Sequence, residues 1–181
     1  MPDILALSGS LRAASLNMAL LRAAQSLAPV GMAIEIYDGI GALPLFNPDL
    51  DPQSFPVVTT FLARAAQADG LLIACPEYAR GIPGAFKNAL DWLVGCEAFS
   101  AKKAALLNAS GRATEAQAAL RLVLTTMAIE LVEPACVTVP LVGDGWTAAA
   151  IIADTDLNQR LRAALTAFGD ALAFATDPHA G

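Results

Sequence analysis

The stretch Ile4-Leu5-Ala6-Leu7-Ser8-Gly9-Ser10-Leu11-Arg12-Ala13-Ala14-Ser15-Leu16-Asn17 decides the architecture. Its first four residues form an unbroken apolar run, the pattern of a strand buried on both faces. From residue 15 to about residue 28 the chain is rich in Ala and Leu and reads as a helix. A buried strand therefore passes through a short polar loop into a helix N-terminus. The same alternation recurs downstream. Apolar runs at 33–37, 71–75, 104–107 and 137–139 read as further strands, and segments near 55–68, 83–95, 113–131 and 155–175 read as helices. Pro83 stands where one helix begins and Gly95 where it stops, and Lys87 and Asp91, four apart, pair on its solvent face.

Strands that alternate with helices need crossover connections, which produce a parallel sheet covered by helices on both faces. Five strands and five helices in 181 residues fit one domain over 1–181, a three-layer sandwich. The expected sheet is the smaller doubly wound type, five parallel strands in the order 2-1-3-4-5. Such sheets bind ligands beyond the carboxyl ends of the strands, where the order reverses. The segments that follow strands one, three and four are therefore the ones that carry function.

Composition removes several chemistries. Apolar residues make up 56% of the chain and charged residues 15%, so a sizeable core is available. Lys and Arg number 11 against 17 Asp and Glu, a formal charge of −6, and no basic stripe is present; nucleic acid is not an expected partner. The sole histidine is His179, close to the C-terminus, which argues against a Ser-His-Asp triad, a Cys-His dyad or a multi-histidine metal site. Cys75, Cys96 and Cys136 are widely spaced, without a C-x-x-C pair, so neither a disulfide framework nor zinc is expected. Each reads as a small buried hydrophobe in a reducing compartment. The N-terminus lacks a signal-peptide pattern, and every apolar run breaks well short of the roughly 20 residues of a spanning helix. The expectation is a soluble cytoplasmic domain with no membrane association.

In the loop after strand one, Ser10, Ser15 and Asn17 are neutral donors and Arg12 is a fork suited to phosphate oxygens. At a helix N-terminus this set favours an anion. The loop has neither the G-x-G-x-x-G of a dinucleotide site nor the G-K-[ST] of a P-loop, so it suits a terminal phosphate. The plainer alternative makes Ser15 an N-cap and Arg12 a solvated charge; the four residues together favour the phosphate. After strand three comes Cys75-Pro76-Glu77-Tyr78-Ala79-Arg80-Gly81-Ile82-Pro83-Gly84, where prolines and glycines stiffen the backbone and admit a flat ligand.

Together these loops resemble the NADPH-dependent FMN reductase family of the flavodoxin-like fold, which includes quinone and chromate reductases. The resemblance rests on Gly9-Ser10-Leu11-Arg12 with Ser15 and Asn17, and on Pro76-Glu77-Tyr78 followed by Pro83-Gly84, Lys87-Asn88 and Asp91-Trp92. It implies noncovalent FMN with its phosphate on Ser10, Arg12, Ser15 and Asn17. It places Pro76, Glu77, Tyr78, Ala79, Arg80 and Gly81 along the isoalloxazine edge, largely through backbone groups. Ser110 and Gly111, in the turn after strand four, approach from the other side. Many members carry Asn at the position of Ala79, so one side-chain contact is missing here. For single residues plainer roles stand beside these. Glu77 caps a helix or meets a cation as readily as it acts in catalysis. Trp92, Phe86 and Leu93 read as core or subunit contact, Asn88 as a loop tie, and Cys75 as an inert strand-end thiol. Arg112 suits a pyridine-nucleotide phosphate or solvent.

The activity the resemblance implies is hydride transfer from NADPH, or NADH, through FMN to a quinone or similar small electron acceptor. It needs no catalytic side chain and no metal. The alternatives are a flavodoxin-like electron carrier, or a domain whose flavin site is empty. The family also implies a homodimer or homotetramer, with the loop Leu43-Pro44-Leu45-Phe46-Asn47-Pro48-Asp49 reaching a neighbouring subunit. Asp144-Gly145-Trp146 reads as a turn, and Arg160 and Arg162 read as solvated.

Overall fold

The computed structural model describes residues 1–99, 101–143 and 145–175; His179 and Asp144 lie outside them. Strand β1 (Asp3–Ser8), β2 (Ala33–Tyr37), β3 (Gly70–Ala74) and β4 (Lys103–Asn108) fall within one residue of the apolar runs that announce them. Helices α1 (Leu16–Ser26), α2 (Pro56–Gln67), α3 (Gly84–Leu93) and α4 (Thr114–Thr126) connect them. All pairings are parallel, in the order β2-β1-β3-β4. The chain order reverses at β1, so the sheet is the doubly wound type with the sequence 2-1-3-4-5.

The fifth position differs in detail from the expected strand at 137–139. Two short segments, β5 (Glu130–Leu131) and β6 (Val137–Thr138), both lie beside β4, at its start and end. A tight turn over Glu133–Ala135 separates them. The helix expected to run to residue 131 stops at Thr126 because Ala128 turns left-handed (φ 58°) and Ile129 N–H bonds back to Leu124 O. That closure normally uses glycine, and no glycine stands there to signal it. A further helix, α5 (Ala148–Ala153), precedes the last one, α6 (Thr155–Ala175). Thr147 Oγ1 accepts from Ala150 N–H to start α5, and Asp154 Oδ1 accepts from Leu157 N–H to start α6. No helix of the described residues is long and apolar enough to cross a membrane.

Side chains alternate across each strand and fill both faces. On one face Ile4, Ala6, Leu72 and Leu107 pack with Leu20 and Leu21 of α1, Ile151 of α5, and Leu161 and Phe168 of α6. On the other, Leu5, Leu7, Ile73 and Leu106 pack with Phe61 of α2, Phe86 and Leu90 of α3, and Leu120 of α4. Each large buried side chain contributes about 1.5–3 kcal/mol relative to exposure, which explains why β1 and β4 carry polar side chains only at their ends and β3 carries none. This two-sided burial makes the sheet a rigid base for the loops at its carboxyl edge. Of the cysteines, Cys75 is buried as expected, whereas Cys96 and Cys136 are only partly covered. They sit in loops, where packing closes on one side only.

Candidate functional site

The loops after β1, β3 and β4 enclose a cavity of about 330 Å³ at the carboxyl edge of the sheet. From the first loop Ser10, Arg12, Ser15 and Asn17 line it; from the second, Pro76, Glu77 and Tyr78; from the third, Ser110. Ala79, Arg80, Gly81 and Gly111 do not line it. Asn108, Ala109 and Ala113 do, and so does Arg112. The signal for Asn108 was an amide closing an otherwise apolar strand; Ala109 and Ala113 carried none.

The first loop is held by its own polar side chains. Ser10 N–H donates to Ser8 Oγ at 3.2 Å, Arg12 N–H to Ser10 Oγ at 3.4 Å, and Met18 N–H to Ser15 Oγ at 3.3 Å. Ser15 is thus the N-cap of α1 while its side chain also faces the cavity. The Leu16 and Asn17 amides open the helix and have no intrahelical acceptor. Gly9 is required here: a Cβ on it would fall 2.8 Å from Cys75 Sγ and 3.1 Å from the Cys75 Cα. The strand ends of β1 and β3 therefore meet backbone to backbone. Burial pushes the Cys75 thiol up to about 12, which keeps it protonated and unreactive.

Helix N-termini differ in their readiness for an anion. The first turn of α1 holds no acidic residue, and Arg12, exposed at the mouth, makes no ion pair among the described residues. The first turn of α4 contains Glu115, and the Glu77 carboxylate already accepts from Ala116 N–H at 2.9 Å. A ligand anion is favoured at α1 and opposed at α4. Buried Asn17, 7% exposed, leaves its Oδ1 with no partner among the described residues. An unmatched buried acceptor costs about 1–3 kcal/mol, so a ligand hydroxyl donor beside the anion suits it. FMN joins a phosphate to a hydroxylated chain, and the donor and acceptor set fits that combination.

In the second loop, Tyr78 and Gly81 exchange backbone bonds of 3.0–3.1 Å across Ala79 and Arg80, which are both left-handed (φ 51° and 61°). This is the tight hairpin turn that favours Asn-Gly. It swings Ala79 and Arg80 outward, which is why they leave the cavity wall. The Tyr78 hydroxyl lies 3.4 Å from Ser10 Oγ and links the second loop to the first. In the third loop Asn108 Oδ1 accepts from Ser110 N–H, and Ser110 Oγ accepts from Arg112 N–H. Arg112 is exposed at the mouth, and among the described residues it too has no ion pair.

The rest of the α3 motif serves another loop. Asn88 Nδ2 and Trp92 Nε1 both donate to Pro44 O, at 2.9 and 2.8 Å, and Phe46 N–H donates to Asn88 Oδ1 at 2.7 Å. The Phe46 and Trp92 rings meet edge to face at 5.2 Å. Asn88 is the loop tie, Trp92, Phe86 and Leu93 are core, and Lys87 pairs with Asp91. Trp146 Nε1 donates to Val142 O at the surface; Arg160 pairs with Asp156, and Arg162 donates to Asn158.

Comparison with known proteins agrees with this arrangement. A family model described as NADPH-dependent FMN reductase matches residues 2–143. An NAD(P)H-dependent FMN reductase of Pseudomonas aeruginosa is 42% identical over 132 residues, 71% of each chain. A quinone reductase of Pseudomonas putida is 32% identical over 169 residues, 91% of this chain and 89% of that one. Among solved structures, the flavoenzyme NAD(P)H:(acceptor) oxidoreductase FerB from Paracoccus denitrificans superposes with a TM-score of 0.79 at 30% identity, covering 96% of this chain and 98% of that one. The chain belongs to the NADPH-dependent FMN reductase family, enzymes that use FMN and NAD(P)H.

Proposed function

We propose that the cavity between the loops after β1, β3 and β4 holds FMN, and that the enzyme passes reducing equivalents from NADPH, or NADH, to a quinone or similar small acceptor. The observation that carries this reading is the Ser15-capped N-terminus of α1, free of acidic residues in its first turn, with Arg12 beside it and the buried Asn17 acceptor unmatched among the described residues. Ser10, Arg12, Ser15 and Asn17 would hold the phosphate end. Pro76, Glu77 and Tyr78, with Ser110, would serve the ring end from the cavity wall; Ala79, Arg80, Gly81 and Gly111, which do not line the cavity, would meet the ring only where it extends beyond that wall. Bound FMN supplies the two-electron carrier that NAD(P)H reduces and the acceptor reoxidises. The chain's own part is to bind and orient it, and no side chain need exchange a proton. The name of the Pseudomonas putida relative supports quinone as the acceptor class. Family membership favours the reductase over a carrier that receives electrons from a protein.

The chain is read as one cytoplasmic domain that forms a homodimer or homotetramer. Exposed Leu45 and Phe46, presented by the Asn88–Trp92 tie, support a subunit contact near the site. An absorbance spectrum of the purified protein, before and after NADPH, tests the central reading. Yellow protein with about one FMN per chain, bleached rapidly by NADPH and recoloured by a quinone, is expected. A chain that neither retains nor rebinds FMN overturns it.

A further inference from the structure

Helix α4 begins at Thr114 behind Ala113, a residue with no side-chain acceptor for the first-turn amides. The missing acceptor comes from Glu77, in the loop after β3 and 39 positions earlier, whose Oε2 takes the Ala116 N–H at 2.9 Å. Beside it, Gln117 Nε2 donates to Cys75 O at 3.4 Å. The first turn of α4 is thus stitched twice to the segment that leaves β3. These two segments are also two walls of the cavity: Pro76, Glu77 and Tyr78 form one, and Ser110, Arg112 and Ala113 the other. Apart from this stitch, the described hydrogen bonds of the third loop are to itself and to the segment that follows β6, through Val139 N–H to Asn108 O and Leu141 N–H to Ala109 O. Among the described residues, Glu77 is the one charged side chain that hydrogen-bonds from one of these walls to the start of α4.

We propose that Glu77 is a positioning residue for cofactor binding: its carboxylate bridges the cavity walls by capping α4, and it acts by reach rather than by charge or proton transfer. This rests on the flavin reading above. With the bridge in place the walls are held in the binding-competent spacing. Without it the α4 start and the Ser110 loop sample other positions, and apparent affinity falls by the fraction of time the competent spacing is lost.

Two variants separate reach from charge. Glu77→Gln keeps an amide oxygen at the same distance and removes the charge, whereas Glu77→Asp keeps the charge and shortens the reach by one methylene. FMN affinity is measured by fluorescence quenching on apoprotein at a temperature where circular dichroism shows each variant folded. The expected result is Glu77→Gln within about threefold of the parent Kd and Glu77→Asp about tenfold weaker, the size of a lost helix cap. Hydrogen exchange at the Ala116 amide rises in Glu77→Asp and not in Glu77→Gln. The reverse order of affinities, or equal weakening in both variants, overturns the proposal in favour of a charge or proton role. Parent-like binding by Glu77→Asp also overturns it. If Glu77→Asp does not fold, Glu77→Gln alone decides: affinity within about threefold supports the bridge, and any larger loss refutes it. A parent protein that binds no FMN is a different result, which sinks the flavin reading itself.

Discussion

At the scale of single residues, the turn at Ala79 and Arg80 stands out because its backbone and its side chains disagree. Both residues are left-handed, a conformation in which a Cβ crowds the following carbonyl, and both bonds of the turn are nevertheless made. Ala79→Gly removes that crowding at the cost of some unfolded-state entropy. It is expected to raise stability by about 0.5–1 kcal/mol, read as an increase in Tm. Cys75 gives a prediction of the opposite kind. Its thiol is pushed from the ordinary 9.0 to about 12 by burial alone. The unfolded thiol ionises above pH 9 while the folded one stays protonated until about 12, so the unfolded state binds fewer protons and stability falls as pH rises across that window. The slope is at most about 1.4 kcal/mol per pH unit. Burial raises Cys136 and Tyr37 as well, with the same sign, whereas it lowers Lys102, with the opposite sign. Urea unfolding of the parent and of Cys75→Ala at pH 8 and at pH 10.5 isolates the Cys75 share. The parent should lose more stability over that interval by on the order of 1–2 kcal/mol, and parallel losses would contradict it.

Among elements, α3 shows how one helix can serve a loop it does not adjoin. Its buried stripe enters the core, and Asn88 and Trp92, four apart on one face, both direct a donor at the same carbonyl, Pro44 O. Asn88 also accepts from Phe46 N–H, so it matches both partners of that loop. Asn88→Ala leaves the Phe46 amide and one lone pair of the Pro44 carbonyl unmatched. It should cost about 1–2 kcal/mol in urea unfolding and open the 43–49 segment to limited proteolysis, while Trp92 keeps the remaining bond. An uncut loop would show that Trp92 suffices. Much at this scale was legible in the sequence. Strands β1 to β4 stood out because burial on both faces demands unbroken apolar runs. The site loops stood out because polar residues cluster directly behind those runs. The split fifth strand was hidden because Met127 and Leu131 continue the apolar spacing of α4 without a glycine or proline, and Ala128 ends the helix unannounced. The partner of Glu77 was hidden for a related reason: it is a backbone amide, which no residue type advertises.

On the scale of the whole molecule, charge is distributed against its sum. The chain carries a formal −6, yet Arg12 and Arg112 stand at the cavity mouth without ion pairs among the described residues, whereas Arg64, Arg121 and Lys103 each meet a carboxylate. Net charge alone would repel a phosphate, and added salt would then strengthen binding by screening the repulsion. A local basic mouth predicts the reverse, because the nearest charges dominate within a Debye length of about 10 Å at moderate salt. FMN affinity should therefore weaken several-fold between about 20 mM and 500 mM NaCl. Arg12→Ala should bind about tenfold more weakly at low salt, the loss of one charge-assisted bond, and should respond less to salt than the parent does. Isothermal titration at four salt concentrations measures both slopes. Affinity that rises with salt in the parent would mean that the acidic body, and not the mouth, sets the field the ligand meets.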